Sequence, residues 1–129
     1  MMKNIFWLIF LLLFSAACRS SRQAKSPEDF TQFYERFLTD SAFQMSRIDF
    51  PLPGLRPDES EDTAYQWTRE EWIMLKKPEL DSTYLRELEV SDTLATDEIY
   101  MESSGFYFKM VYEPIKRKWH LVYLIDSGL

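Results

Sequence analysis

The chain has 129 residues, 15 of them basic, 21 acidic and one a histidine, for a formal net charge of −6. That balance argues against nucleic acid as a partner and against an electrostatic grip on anionic lipid. Three glycines leave little for phosphate-cradling loops, and the single cysteine excludes an intrachain disulfide.

The first segment reads as a signal peptide over residues 1–17. Lys3 gives the positive start, Ile5 to Phe14 the apolar run, and Ser15-Ala16-Ala17 the small residues before a cleavage point. The run is too short to span a bilayer, which needs about 20 apolar residues. Cys18 follows directly, as in a lipid-attachment cysteine, so the expected anchor is a membrane reached through lipidated Cys18. An ordinary signal peptide cut nearby is the alternative. An exposed free thiol would be a liability in an oxidising compartment, and acylation removes it. The expected location is the bacterial cell envelope, at the outer membrane facing the periplasm. Residues 18–25 have no large apolar side chain and read as a basic tether. Residues 26–129 then form a single domain.

Ser26 to Leu38 predicts an amphipathic helix. Ser26 suits the cap and Pro27 the first helical position. Phe30, Phe33, Tyr34, Phe37 and Leu38 make a stripe at helical spacing that must lie on another layer. Asp40 to Ile48 predicts a second, short helix, with Gln44 and Arg47 three apart on one face. Pro51 and Pro53 then favour an extended path without regular pairing. Residues 56–63 form an acidic loop, and Ala64 to Trp67 a short strand. Thr68-Arg-Glu-Glu71 matches a capping box, which predicts a short helix through Leu75 that Pro78 ends.

Tyr84 to Val90 and Glu98 to Ser103 read as strands. Phe106, Phe108, Met110 and Tyr112 alternate with Tyr107, Lys109 and Val111. Trp119, Leu121, Tyr123 and Ile125 alternate with His120, Val122 and Leu124. With Pro114 to Lys118 as the connection, these predict a C-terminal hairpin. Both faces of its last strand are largely apolar, which suits a central strand or one packed on one face while lining a cavity on the other. The fold class is α+β: N-terminal helices packed on a curved antiparallel sheet. Charge is uneven, with four bases and fourteen acids between residues 58 and 102, a net −10. This reads as a solvated acidic flank, or else as a surface for a cation or a basic partner.

The aromatic first helix, the segment Asp40-Ser-Ala-Phe-Gln-Met-Ser-Arg-Ile-Asp-Phe-Pro-Leu-Pro-Gly54, the Trp-rich middle and the closing Lys118-Trp-His-Leu-Val-Tyr123 resemble a group of small lipoproteins. These come from gut Gram-negative anaerobes and form a domain of unknown function. The resemblance covers roughly residues 28–126, with the Phe-Gln-x-x-Arg-Ile-x-Phe-Pro-Leu segment its most specific part. It implies a nuclear transport factor 2-like, or cystatin-like, cone with an internal pocket. It implies no catalytic residue, because shared fold is not shared function.

The chemistry to be weighed is sparse. His120, the one histidine, is either a general base in a pocket or a half-exposed strand residue. Arg47, with Gln44 beside it, either faces a pocket and grips an anion or forms a structural pair with Asp40, Asp49 or a sheet acid. Trp67, Trp72 and Trp119 either stack a flat or sugar-like ligand or belong to the core. No metal site and no cofactor is expected: there is one histidine, no calcium-loop motif, no nucleophile elbow and no Rossmann fingerprint. The candidate pocket is therefore Arg47, Gln44, Trp67, Trp119 and His120. The expected function is a non-catalytic ligand-binding or protein-interaction module of the envelope. A small isomerase or dehydratase with a buried pocket is the alternative, as is a structural subunit of an envelope assembly, dimeric through its sheet.

Overall fold

The computed structural model describes residues 26–56 and 64–128. The signal segment, Cys18, the tether and most of the acidic loop lie outside the described residues. Two short helices, α1 (Phe30–Phe37) and α2 (Ser41–Ser46), precede six strands: β1 (Leu52–Leu55), β2 (Ala64–Trp67), β3 (Leu85–Val90), β4 (Ala95–Tyr100), β5 (Tyr107–Ile115) and β6 (Lys118–Asp126). They form one curved sheet in the order β2-β1-β6-β5-β4-β3. The sheet is mixed, not antiparallel throughout: β1 runs parallel to β6, with Gly54 opposite Leu124.

That correction begins at the end of α2. The Leu121 amide donates to the Arg47 carbonyl at 3.0 Å, and Ile48 bridges Leu121 in parallel. The chain is thus led alongside β6 before the prolines. Pro53 does not prevent pairing, and β1 also takes β2 as an antiparallel neighbour, with Leu52 opposite Trp67. Gly54 has no alternative here: a Cβ would sit 1.7 Å from the Leu124 carbonyl oxygen and 2.3 Å from the Trp67 ring.

α1 starts later than its sequence suggests. Its cap is Asp29, which accepts from the Gln32 amide at 2.9 Å, not Ser26. Residues before it are drawn onto the hairpin instead. The Glu28 amide donates to the Arg117 carbonyl at 2.9 Å, and Trp119 Nε1 donates to the Glu28 carbonyl at 2.9 Å. Beyond Asp29 the predicted stripe is buried, and it surrounds one residue of β5. Tyr112 meets Phe30, Phe33 and Phe37 edge-on, with centroids 5.5–5.6 Å apart. Each such pair adds about 1 kcal/mol beyond area burial.

The closing hairpin is tighter than Pro114 to Lys118. Its turn is two residues, Lys116 and Arg117, both with positive φ (50° and 69°), and Ile115 pairs with Lys118 across it. Such a turn matches the twist of the strands. Val111 pairs with Tyr123 but Tyr112 with Leu121, so Val122 is an extra residue on β6. This bulge resets the alternation: Trp119, Leu121 and Leu124 point into the core, and Tyr123 and Ile125 do not. β6 lies between β1 and β5, as its two apolar faces suggest.

Two further expectations fail. β4 is Ala95–Tyr100, three residues earlier than Glu98 to Ser103, because it is held by six-residue registers with both β3 and β5. The helix over 68–75 does not form. The Thr68 amide does donate to Glu71 Oε1 at 2.9 Å, half of a capping box. The chain makes only one turn and then runs on irregularly from 72 to 84. What holds this strap is a side chain from α2, described next.

Candidate functional site

Gln44 is 1 % exposed and uses its whole amide. Its Nε2 donates to the Phe37 carbonyl at 2.7 Å and the Leu75 carbonyl at 3.0 Å. Its Oε1 accepts from Trp72 Nε1 at 3.0 Å and the Leu75 amide at 2.9 Å. Four polar groups that would otherwise be stranded are satisfied at once. The strap is therefore fastened across the helices at Trp72 and Leu75, and Lys77 adds an exposed ion pair with Glu35 at 3.0 Å.

Arg47 ends α2 and turns inward. Its guanidinium forks onto both carboxylate oxygens of Glu28, donates to the Trp119 carbonyl at 3.1 Å, and lies over the Phe43 ring at 4.5 Å. Glu28 also accepts from the Trp119 amide at 2.8 Å. Burial raises the Glu28 carboxyl, but the Arg47 hydrogen bond, the Trp119 amide and the charges of Arg47 and Lys118 outweigh it and hold the group below its ordinary value. Arg47 is thus paired with an acid from the chain's own N-terminal arm. None of Asp40, Asp49 or a sheet acid is that partner.

A second network was not visible in the sequence. Asp97 on β4 is fully buried. Arg86 on β3 binds it bidentately, Nε to Oδ1 and Nη2 to Oδ2, both at 2.9 Å. The Tyr34 hydroxyl donates to Asp97 Oδ2 at 2.5 Å and accepts from Arg86 at 2.9 Å. Burial, then the hydrogen bond and charge of Asp97, push the Tyr34 phenol well above its ordinary range. This set ties α1 to the sheet.

Next to it on the same sheet face is an open cavity of about 250 Å³. Ile99, Phe108 and Met110 of the sheet form its floor, and Leu75, Leu80 and Tyr84 of the strap form its wall. Lys76 and Glu79 are the charged groups on its lining. The lining comes from segments that the sequence gives no reason to join, although the alternation of Phe106, Phe108 and Met110 marks that face as apolar.

The five candidate residues do not meet in this cavity. Gln44, Arg47 and Trp119 lie in the interior and make internal hydrogen bonds. Trp67 is buried beside a separate cleft of about 350 Å³ that Arg56, Trp72, Leu124 and Asp126 also line. His120 lies on the opposite face of β6 from Trp119, half-buried and across from Glu113. Its Nδ1 is buried without a hydrogen-bond partner, and burial lowers its pKa. Among the described residues no group of three or more His, Cys, Asp or Glu side chains could hold a metal ion. No described helix is long and apolar enough to cross a membrane.

Several solved structures are similar. A cystatin-like protein from Bacteroides caccae ATCC 43185 superposes with a TM-score of 0.62 at 25% identity, over 80% of this chain and 78% of that one. An NMR structure of a protein from Bacteroides uniformis ATCC 8492 gives 0.60 at 26% identity, over 80% and 79%. A nuclear transport factor 2-like protein from Bacteroides fragilis NCTC 9343 gives 0.54 at 19% identity, over 81% of this chain and 49% of that one, which speaks to fold alone. No curated protein matches the chain. A family model matches residues 28–127, most of the sequence and all of the two networks and the cavity. The chain therefore belongs to an uncharacterised Bacteroides family, with a fold of the cystatin and nuclear transport factor 2 kind.

Proposed function

We propose that this protein is a non-catalytic binding module of the bacterial envelope, held at the membrane by lipidated Cys18 and taking a small apolar molecule in the cavity behind the strap. The sheet, strap and helices would act as the cone of the related folds, with this cavity as its pocket. The observation that carries the reading is the cavity itself: an open, largely apolar space at the inner face of the sheet, of a size suited to one small ligand. The polar inventory supports binding over chemistry. Asp97, Tyr34 and Arg86 are closed on one another, and Arg47 is closed on Glu28. His120 is not among the residues that line the cavity. None of these groups lines the cavity, whose charged lining residues are Lys76 and Glu79.

The test uses the full chain in detergent and the neutral fluorophore N-phenylnaphthylamine, with the signal of protein-free detergent at the same concentration subtracted. The probe should brighten on binding. Leu80→Arg, a change at a partly exposed position of the wall, should abolish the signal while leaving the melting temperature unchanged. Equal brightening in that variant sinks the cavity reading. The anchor is tested separately by incorporation of radioactive palmitate, which Cys18→Ser should eliminate.

A further inference from the structure

We infer that the free edge of β3 accepts an extended, basic segment of another protein as one more strand. β3 ends the sheet, and among the described residues no strand lies beyond it. All six of its residues are exposed. Its outward backbone groups are therefore available for pairing, the basis of recognition by strand addition.

The two faces of this edge differ in chemistry. Arg86, Leu88 and Val90 sit opposite Ile99, Asp97 and Ala95, all buried, so they share the inner face. Leu88 and Val90 are nevertheless 45% and 50% exposed. They form one wall of a groove of about 370 Å³, with Pro27, Phe30 and Trp119 on its other side and the acids Glu28, Asp29 and Asp92 also on its lining. An added strand would lay alternate apolar side chains into that groove. On the outer face stand Glu87 and Glu89, opposite Glu98 and Thr96. Glu98 is neutralised by Lys109 at 2.6 Å, and the one base of β3, Arg86, is spent on Asp97. The edge is thus left with two negative charges and Leu85 outward and two aliphatic side chains inward.

This pattern selects the partner. A second copy is disfavoured: antiparallel pairing about a two-fold axis keeps each face, and the two registers that pair five of the six residues set Glu87 against Glu87 or against Glu89 of its mate. Like charges directly opposite are destabilising. A segment with Lys or Arg at alternate positions and apolar residues between them meets both faces.

The test titrates the full chain with the capped peptide Lys-Val-Lys-Val-Lys-Val, the same peptide with Glu for Lys, and a scrambled Lys/Val peptide. The first should bind, weaken with added salt, and slow amide exchange along β3. The other two should not. Glu87→Lys with Glu89→Lys should weaken binding by about tenfold or more, since two attractive pairs become repulsive. Leu88→Lys should do the same through the inner face while leaving the fold, checked by circular dichroism, intact. Binding of the Glu peptide equal to that of the Lys peptide would overturn the proposal. So would binding without new protection in β3, no binding of any peptide, or a dimer that Leu88→Lys dissolves. Probe binding in the cavity is read independently, so either proposal can fail without the other.

Discussion

The two buried ion networks are mirror images in one respect. At Arg86–Asp97 the acid is wholly buried and the base reaches water, with side chains 0% and 32% exposed. At Arg47–Glu28 the base is the buried partner at 11%, and the acid reaches water at 32%. Both join a helical segment to the sheet, but they are anchored at opposite ends. The first is rooted in β4, so the sheet holds a fixed negative site and Tyr34 and Arg86 come to it. The second is rooted at the end of α2, and what comes to it is Glu28, on the arm that leads back toward residue 26. The difference teaches which member of each pair can be removed cheaply: the one whose loss leaves behind a group that can still find water.

The sharpest way to break the comparison is to strand the buried acid. Arg86→Leu leaves Asp97 without a countercharge and should cost about 4 kcal/mol, read from urea unfolding at pH 7. Replacing both, Arg86→Leu with Asp97→Leu, should recover much of the loss. A small cost for the single variant would mean that water reaches Asp97.

The second network should yield less. Arg47→Met leaves Glu28, which can turn to solvent, so the cost should be about 2 kcal/mol from lost hydrogen bonds and packing. The damage should be local. Amide exchange at Glu28 and Trp119 should quicken, while Tyr112, under the rings of α1, keeps its protection. Equal loosening of both sites would make Arg47 a global and not a local fastening.

How far the sequence foretold these features follows from how local their causes are. The stripe Phe30, Phe33, Tyr34 and Phe37 is set by helical period, and the hairpin by alternation, so both are legible. The cap at Asp29 is not, because Glu28 is recruited by Arg47 and Trp119 from far along the chain. Thr68 and Glu71 make a capping contact without a helix, since Gln44 claims Trp72 and Leu75 through tertiary hydrogen bonds. β4 is misread because Asp97 looks like a loop residue until Arg86 is seen beside it. β1 is hidden by its prolines and revealed only by the parallel lead from Ile48. Among the candidate site residues, Gln44 and Arg47 stood out for a sound reason, being polar on an apolar helix. That anomaly marks an internal tie as readily as a ligand site. The cavity depends on the strap, and the strap has no periodic signal of its own.

The smallest effect separates the two faces of β6 by pH. Glu28 is held below its ordinary value of 4.5, so its contribution is present above that pH and is lost as the pH falls through its folded value. His120 is also lowered, from 6.5, because burial disfavours its charged form. The unfolded chain then binds a proton that the folded chain does not, and stability falls as the pH drops below 6.5. Acid should therefore weaken the protein in two stages, His120 first and Glu28 second. Glu28 is partly screened by water, so its share should be below about 1 kcal/mol. Midpoints of urea unfolding between pH 7 and 3 should resolve the stages. His120→Gln should flatten the upper one only, while Glu28→Gln should flatten the lower one and deepen the upper one slightly, because the Glu28 carboxylate opposes the fall in the His120 pKa. If Glu28→Gln left the lower stage unchanged, the Glu28 carboxylate would contribute nothing to acid stability, and the arm would not be fastened by its charge.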